Sequence, residues 1–191
     1  MQRIGLFGGS FDPVHLGHLL VAQAARAELQ LTRLFFIPAA QSPFKPASQA
    51  APSVMRLQML RLALVGKSWC EVDDQEIKRG GVSYTIETVR DYRARFPAAE
   101  LFYLIGSDHV SQLPKWREAE DLARLAAFVA IPRPGRPQAA FPEPFHGQTL
   151  TGFPLALSSS EIRIRVKAGL SLEDLVPTAV AEAIRNNQLY L

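Results

Sequence analysis

The chain has 191 residues, of which 48% are hydrophobic and 20% are charged. This composition is typical of a folded globular protein and excludes a disordered tail protein. The length predicts a single domain over 1–191 that buries a core without the help of metals or disulfides. Cys70 is the only cysteine and cannot form an internal disulfide, which favours a reducing, cytoplasmic location.

Charge and hydropathy narrow the choice of partners. The formal net charge is +3, but lysines and arginines are spread along the whole chain, so we do not expect a nucleic-acid partner. No apolar run approaches the roughly 18 residues that cross a bilayer, and Gly8 and Gly9 end the first apolar stretch too early for a signal peptide. We therefore expect no membrane partner. The oligomeric state is left open, a homo-oligomer included.

Short apolar runs alternate with helical patterns along the chain, which is typical of an α/β fold. In chain order we predict a strand at 4–7, a helix at 16–27, a strand at 34–37, a helix at 55–65 capped by Ser53, a strand at 69–72, a helix at 86–96, a strand at 101–105, a helix at 117–125, a strand at 128–131 and a proline-rich loop at 132–144. This order predicts a Rossmann-like, doubly wound parallel sheet with helices on both faces and a small C-terminal helical portion.

The C-terminal portion contains one ambiguous segment. Residues 162–167 alternate between apolar and basic side chains, which taken alone indicates a strand. Ser158 and Glu161, however, have the spacing of a capping box, and Gly169 stands where a helix C-terminal glycine belongs. We therefore predict a helix, followed by a final helix whose start is signalled by the polar residues of 171–174 and which ends near 186.

The most informative stretch links the first predicted strand to the first helix and reads GGSFDPVHLGH from Gly8 to His18. Glycines let the backbone turn sharply and approach a ligand closely, and the helix that follows presents free N–H groups to an anion. In a parallel sheet such a turn lies at the ligand-binding edge. His15 and His18 are three positions apart, a spacing that on a helix places both imidazoles on one face. The stretch predicts an anion site.

A plain helix cap and a metal site are the alternative interpretations of this stretch. Paired histidines bind zinc in many proteins, but no nearby Cys, His or Glu motif supplies a third ligand. The stretch matches neither the GxxxxGK[ST] phosphate loop nor GxGxxG, so those two nucleotide-binding folds are not supported.

Lys45 is the only charged residue between Ile37 and Met55, and it lies on a loop stiffened by prolines. Its ammonium group is either a solvated surface charge or a cation that covers a phosphate. Ser42 and Lys45 also fit a serine-nucleophile pattern, but the companion SDN and KTG elements are absent.

A second anion site is indicated at another predicted helix start. Ser158, Ser159 and Ser160 place hydroxyl and N–H groups there, and Arg163 adds a cation one turn later. The alternative is an ordinary helix cap with a surface arginine.

Ser83, Tyr84 and Thr85 form a third polar group at a helix start. Asp108 closely follows a central strand, a position that favours ligand contact over packing. Trp116 is suited to stack on a flat ring while the hydroxyl-rich helix start holds an anionic substituent. Capping by Ser83 and core packing by Trp116 are the structural alternatives.

These stretches resemble the HxGH nucleotidylyltransferases, and nearly the whole chain resembles the bacterial nicotinate-nucleotide adenylyltransferase branch of that superfamily. The stretch from Gly8 to His18 carries the superfamily signature, whereas Tyr84, Thr85 and Trp116 indicate the pyridine-nucleotide branch. The resemblance implies ATP-binding residues Gly8, Gly9, Ser10, Phe11, His15, His18, Ser158, Ser159, Ser160 and Arg163. It implies catalytic roles for His15, His18, Lys45 and Arg163. It implies substrate contacts by Ser83, Tyr84, Thr85, Asp108 and Trp116.

The reaction implied by the resemblance joins ATP and nicotinate mononucleotide to give deamido-NAD and pyrophosphate, with Mg²⁺ held through the phosphates. The attacking phosphate oxygen is already ionised at neutral pH, so catalysis reduces to alignment and charge stabilisation. A sibling transferase that uses nicotinamide mononucleotide or phosphopantetheine is one alternative. A non-catalytic nucleotide sensor is another. Phe44 stands where the family usually has a loop histidine, and Ser160 replaces the usual threonine.

Overall fold

Six parallel strands form a sheet at the centre of the protein. The structure is a computed structural model that describes residues 1–43, 50–135, 140–152 and 156–191. The strands are β1 (Arg3–Gly9), β2 (Arg33–Pro38), β3 (Cys70–Val72), β4 (Glu100–Gly106), β5 (Ala127–Ile131) and β6 (Gly147–Thr149). They lie in the order β3-β2-β1-β4-β5-β6, and every neighbouring pair is parallel.

Helices connect the successive strands from β1 to β5, as is usual for parallel pairing, and two more helices follow β6. They are α1 (Leu16–Glu28), α2 (Ser53–Ala63), α3 (Gln75–Arg79), α4 (Thr85–Arg95), α5 (Ala119–Leu125), α6 (Ser159–Lys167) and α7 (Thr178–Asn186). A 3-10 helix, Ser107–Lys115, follows β4 directly. Within the described ranges, no helix is both long enough and apolar enough to cross a bilayer.

The strands bury both of their faces because their side chains alternate between two hydrophobic cores. In β2, Leu34 and Phe36 pack in one core with buried residues of α1, α2, α6 and α7. Phe35 and Ile37 point the other way and pack with residues of α4, α5 and the 3-10 helix. Helices therefore cover both faces of the sheet. The predicted α/β doubly wound architecture with a C-terminal helical portion is confirmed.

The order of the strands reverses beside β1. The chain first builds β1, β2 and β3 outward in one direction, then crosses back to place β4 on the other side of β1 and continues through β5 and β6. The carboxyl ends of β1 and β4 lie side by side, and the loops that leave them diverge to opposite faces. In an open parallel sheet, such a switch point forms the crevice where ligands bind.

The predicted strands and helices are present, but α3, the 3-10 helix and β6 were not predicted. Each lacks a run of apolar residues, with helical or strand spacing, that is long enough to predict the element from the sequence. Two of them, α3 and β6, are only five and three residues long. The 3-10 helix contains Pro114, a residue that is disfavoured inside helices. The expectation of a single domain stays a prediction.

Two predicted helix starts are wrong, and one is confirmed. The last helix begins at Thr178, because the Ser171 hydroxyl closes a local turn by accepting a hydrogen bond from the Glu173 amide (3.1 Å). Ser53 is the first residue of α2 rather than its cap. At α6, the Ser158 hydroxyl accepts a hydrogen bond from the Glu161 amide (3.2 Å), as a true N-cap does.

Gly8 leaves room for the Tyr103 hydroxyl, with which a Cβ at position 8 would collide. Because Tyr103 is buried, we expect Gly8→Ala to lower the free energy of unfolding by about 1–3 kcal/mol. Tyr103→Phe removes the colliding atom, so the double variant should recover part of this loss. Urea unfolding of the natural protein, both single variants and the double variant measures the coupling. Simple additivity of the two losses would contradict the prediction.

Candidate active site

The loop between β1 and α1 is anchored in the core by one aromatic ring. Phe11 has a left-handed backbone (φ 46°), which is costly for a bulky residue. Its ring is 2% exposed and packs edge-on against Phe7, with ring centroids 5.4 Å apart, and against Phe36 at 5.5 Å. The buried ring holds the strained turn in place. Any contact of Phe11 with ATP therefore falls to its backbone.

The two histidines of the loop lie against each other, but not on one helical face as predicted. His15 is the N-cap of α1 and has an extended backbone, whereas His18 lies within the first turn. Their ring centroids are 3.7 Å apart with the planes inclined by 31°. The backbone N–H of His15 donates to Nδ1 of His18 (3.2 Å). The two rings thus meet because His15 is the N-cap of the helix and His18 lies in its first turn, and not because both lie on one face of the helix.

This backbone hydrogen bond selects the tautomer of His18. Since Nδ1 accepts a hydrogen bond from the His15 amide, a neutral His18 ring carries its own proton on Nε2. The half-buried ring is also held by Phe11, whose centroid lies 5.0 Å away. These contacts fix the orientation of the His18 ring and make Nε2 its N–H donor.

His15 is more deeply buried than a ligand-binding histidine usually is. Its side chain is 5% exposed, and burial lowers its pKa to about 4. Its Nδ1 has no hydrogen-bond partner among the described residues. The ring lies over Gly17, where a Cβ would come within 3.0 Å of both Nδ1 and Cε1. The glycine is therefore needed for this ring position, and the imidazole is neutral at physiological pH.

Asp12 joins this loop to distant parts of the chain. Its buried carboxylate accepts hydrogen bonds from the Ala51 amide (3.0 Å) and from the Tyr190 hydroxyl (2.7 Å), both at Oδ1. Burial and the bond to Asp12 raise the pKa of Tyr190 well above its usual range. Asp12 is followed by a cis peptide bond to Pro13. Neither Ala51 nor Tyr190 was predicted to contribute to this site.

The start of α6 is fixed against the same loop, so the residues of the two predicted anion sites lie together. The Arg163 guanidinium donates through Nη1 to the Asp12 carbonyl (2.7 Å) and through Nη2 to the Ser160 hydroxyl (3.1 Å). The Ser159 hydroxyl donates to the Pro13 carbonyl (2.9 Å). The structure thus brings α6 against the loop that carries both histidines, as the resemblance implied.

Arg56 is a buried cation that sequence analysis missed. It lies on α2 and is 3% exposed. Its guanidinium donates to the carbonyls of Ser10 (2.7 Å), Ala39 (2.8 Å), Ala40 (3.3 Å) and Ala51 (3.2 Å). One side chain therefore ties the loops after β1 and β2 together. The only available signal was an arginine on the otherwise apolar face of α2.

A second part of the site is a cavity of about 230 Å³ where α4 begins. The described residues that line it are Pro43, Ser83, Tyr84, Thr85, Gln112, Lys115, Trp116, Arg117 and Leu122. Four of these were predicted as substrate-binding residues, and the structure brings all four together. A larger cavity of about 410 Å³ lies at the opposite, amino-terminal edge of the sheet, away from both histidines.

A buried carboxylate supports the wall of this cavity. Glu76 on α3 is 4% exposed and accepts a hydrogen bond from the Thr88 hydroxyl (2.6 Å). Burial raises the pKa of Glu76, while hydrogen bonds from Thr88 and Ser83 oppose that shift. The Ser83 hydroxyl in turn accepts from the Ala40 amide (3.0 Å), which links the cavity wall to the end of β2. Sequence analysis missed Glu76 because it missed α3.

Two predicted residues are not part of these clusters. Asp108 does not line the cavity; its carboxylate folds back over Gly106 and pairs with Arg133 (3.1 Å between Oδ1 and Nε). Lys45 lies outside the described residues. Within those residues, no group of three His, Cys, Asp or Glu side chains is arranged to hold a metal ion.

Comparison with known proteins identifies the class to which this fold and site belong. The family model described as Cytidylyltransferase-like matches residues 6–165. A Plasmodium falciparum nicotinic acid mononucleotide adenylyltransferase, solved in complex with NaAD, superposes with a TM-score of 0.79 at 19% identity, covering 100% of this chain and 98% of that one. The likeness to that structure is one of fold. The chain belongs to the cytidylyltransferase-like family of nucleotidyltransferases.

Curated relatives define its place within that family. A protein of Opitutus terrae is 44% identical over 99% of this chain and 98% of its own length, and one of Thermus thermophilus is 43% identical over 99% and 100%. Both are named "Probable nicotinate-nucleotide adenylyltransferase". The chain therefore belongs with the nicotinate-nucleotide adenylyltransferases.

The buried His15 makes stability depend on pH. Its folded pKa of about 4 lies below the 6.5 of free imidazole, so between these values the unfolded chain binds a proton that the folded chain does not. Because the unfolded chain gains this proton and the folded chain does not, acid favours unfolding. The free energy of unfolding is unaffected by the protonation of His15 above pH 6.5 and falls by up to about 3 kcal/mol as the pH drops to 4. His15→Gln should therefore show a flatter decline over that range, measured by urea unfolding at each pH. Equal slopes for both proteins would contradict the assignment.

Proposed function

We propose that the protein transfers the adenylyl group of ATP to nicotinate mononucleotide, forming deamido-NAD and releasing pyrophosphate. Relatives more than 40% identical over nearly the full chain carry the name of this activity. The observation that favours it most is the position of two different subsites at one switch point of the sheet. One is lined by histidines, hydroxyls and a guanidinium, and the other is an aromatic cavity at a helix start.

In this proposal the first subsite binds ATP. His18 donates from Nε2 to a phosphate oxygen, and neutral His15 donates from its own N–H beside it. Gly8, Gly9, Ser10 and the backbone of Phe11 form the turn under the nucleotide. Ser158, Ser159, Ser160 and Arg163 bind the phosphates from the α6 side. We assign Lys45, on the loop after β2, to the pyrophosphate.

The second subsite binds the pyridine nucleotide. Trp116 offers a flat apolar face to the nicotinate ring. Tyr84 and Thr85 stand at the start of α4, which has no side-chain cap, so its first N–H groups are available to a carboxylate. Ser83 holds this helix start against β2. We place Asp108, at the exit of β4 beside β1, near a ribose hydroxyl or phosphate of the nucleotide.

Alignment and charge stabilisation are sufficient for this reaction. The 5′-phosphate oxygen of the mononucleotide attacks the α-phosphorus of ATP, the new P–O bond forms, and the bond to the β-phosphate bridging oxygen breaks. The attacking oxygen is ionised at neutral pH, so no general base is required. Negative charge shifts to the departing pyrophosphate, where fixed donors such as His18 Nε2–H and Arg163 stabilise it. Because the surrounding residues hold these donors in position, the donors do not have to reorient while the bond breaks.

We further propose that Mg²⁺ is the metal of the reaction and is held through phosphate oxygens. Mg²⁺ usually keeps several waters and is bound through one or two carboxylates and the phosphates of the substrate, so it needs few protein ligands. When bound, it would neutralise phosphate charge. Asp108, which follows β4 at the sheet edge and pairs with Arg133, would hold one of its waters.

The direct test is an assay of pyrophosphate release. The protein is mixed with Mg²⁺ and ATP, and nicotinate mononucleotide, nicotinamide mononucleotide or phosphopantetheine is added separately. We expect rapid release with nicotinate mononucleotide and formation of deamido-NAD. A preference for the amide or for phosphopantetheine would identify a sibling transferase. No release with any of the three would indicate a nucleotide sensor and overturn the proposal.

We expect His18→Ala to lower kcat by about a hundredfold, equivalent to about 3 kcal/mol, because it removes a fixed donor to the phosphates. His146→Ala is the matched control, since His146 is exposed and precedes β6 at the opposite edge of the sheet. The control should retain the natural kcat. Unchanged turnover of His18→Ala, with both variants equally folded, would contradict the role of His18.

A further inference from the structure

The cavity beside α4 has a charge asymmetry. Its charged lining residues, among those described, are the cations Lys115 and Arg117, and no carboxylate lines it. Glu76 is buried behind Ser83 and does not reach the cavity surface. An anionic ring substituent entering this space therefore meets positive charge, whereas a neutral substituent gains little from it.

The two cations are not equivalent. Arg117 stacks on the Tyr84 ring, with its guanidinium carbon 4.7 Å from the centroid, and lies within ion-pair distance of Glu87 (3.4 Å) and Glu118 (3.7 Å). Its charge is therefore largely compensated by its neighbours. Lys115 forms no ion pair within the described part of the chain. It is the last residue of the 3-10 helix and directly precedes Trp116.

We infer that Lys115 is a specificity-determining residue that selects the pyridine carboxylate over the carboxamide. The inference rests on the proposed function and adds a residue to it. Trp116 positions the ring, and the ammonium group of the preceding residue meets the substituent that the ring carries. The N–H groups at the start of α4 bind a carboxylate oxygen or an amide oxygen alike, so they discriminate weakly on their own. A point charge distinguishes the two substituents directly.

The physical basis is the difference in charge between the two ligands. Nicotinate mononucleotide and its amide share the ribose, the phosphate and the ring, so contacts with these shared parts cancel when the two are compared. Only the carboxylate has a net Coulomb attraction to Lys115. Because Lys115 is exposed and its charge is screened by water, we expect a modest discrimination of about five- to tenfold from this one residue.

The experiment compares Lys115→Arg, Lys115→Gln and Lys115→Glu with the natural protein. For each, kcat/KM is measured with nicotinate mononucleotide and with nicotinamide mononucleotide, and dissociation constants are measured for deamido-NAD and NAD. We expect the acid-over-amide ratio to persist in Lys115→Arg, to fall five- to tenfold in Lys115→Gln and to fall further in Lys115→Glu. The amide constants and the KM for ATP should change less than twofold.

Lys67→Gln is the matched control, because Lys67 precedes β3 at the amino-terminal edge of the sheet and its loss removes the same charge. It should leave the acid-over-amide ratio unchanged. Equal losses for acid and amide in the Lys115 series, or an unchanged ratio in Lys115→Glu, would overturn the inference while leaving the proposed function intact. Failure of the proposed function is distinguishable, because the natural protein would then release no pyrophosphate with nicotinate mononucleotide.

Discussion

The buried carboxylate of Asp12 is the interaction on which the arrangement of the histidine loop depends. It receives the Tyr190 hydroxyl from the segment after α7 and the Ala51 amide from the loop before α2. Its own backbone carbonyl receives Arg163 from α6. Segments up to 178 residues apart in sequence therefore meet at one residue of the β1–α1 loop. A buried charge is tolerated only when it is paired and hydrogen-bonded, so losing any of these partners would disturb the others.

Arg56 and Glu76 extend the same principle to the rest of the crevice. Arg56 satisfies backbone carbonyls that turn away from the sheet after β1 and β2, where no neighbouring strand pairs with them. Glu76 supports Ser83, which in turn receives the Ala40 amide. Both subsites are thus fixed to the exit of β2 by buried polar side chains. These contacts, together with the sheet, fix the position of the histidine loop relative to the cavity beside α4.

Much of the fold was predictable because both faces of the strands are buried and the helices are amphipathic. The sequence also indicated the histidine pair, the α6 start and the α4 cavity, since each has a local pattern. Arg56, Glu76 and Tyr190 were not predictable, because their importance comes from partners distant in sequence. The final helix start was wrong because Ser171 forms a local turn that resembles a cap. Lys115 was missed because the 3-10 helix that carries it has no clear sequence signal.

The aromatic anchor of the β1–α1 loop has a consequence for binding thermodynamics. Phe11 is packed between the core and the His18 ring, so the loop has its bent shape before any nucleotide arrives. A preformed loop loses little conformational entropy on complex formation, and more of the contact energy is expressed as affinity. The ordering cost of the catalytic cycle must then fall on other segments, and substrate-linked motion is expected there rather than beside the histidines.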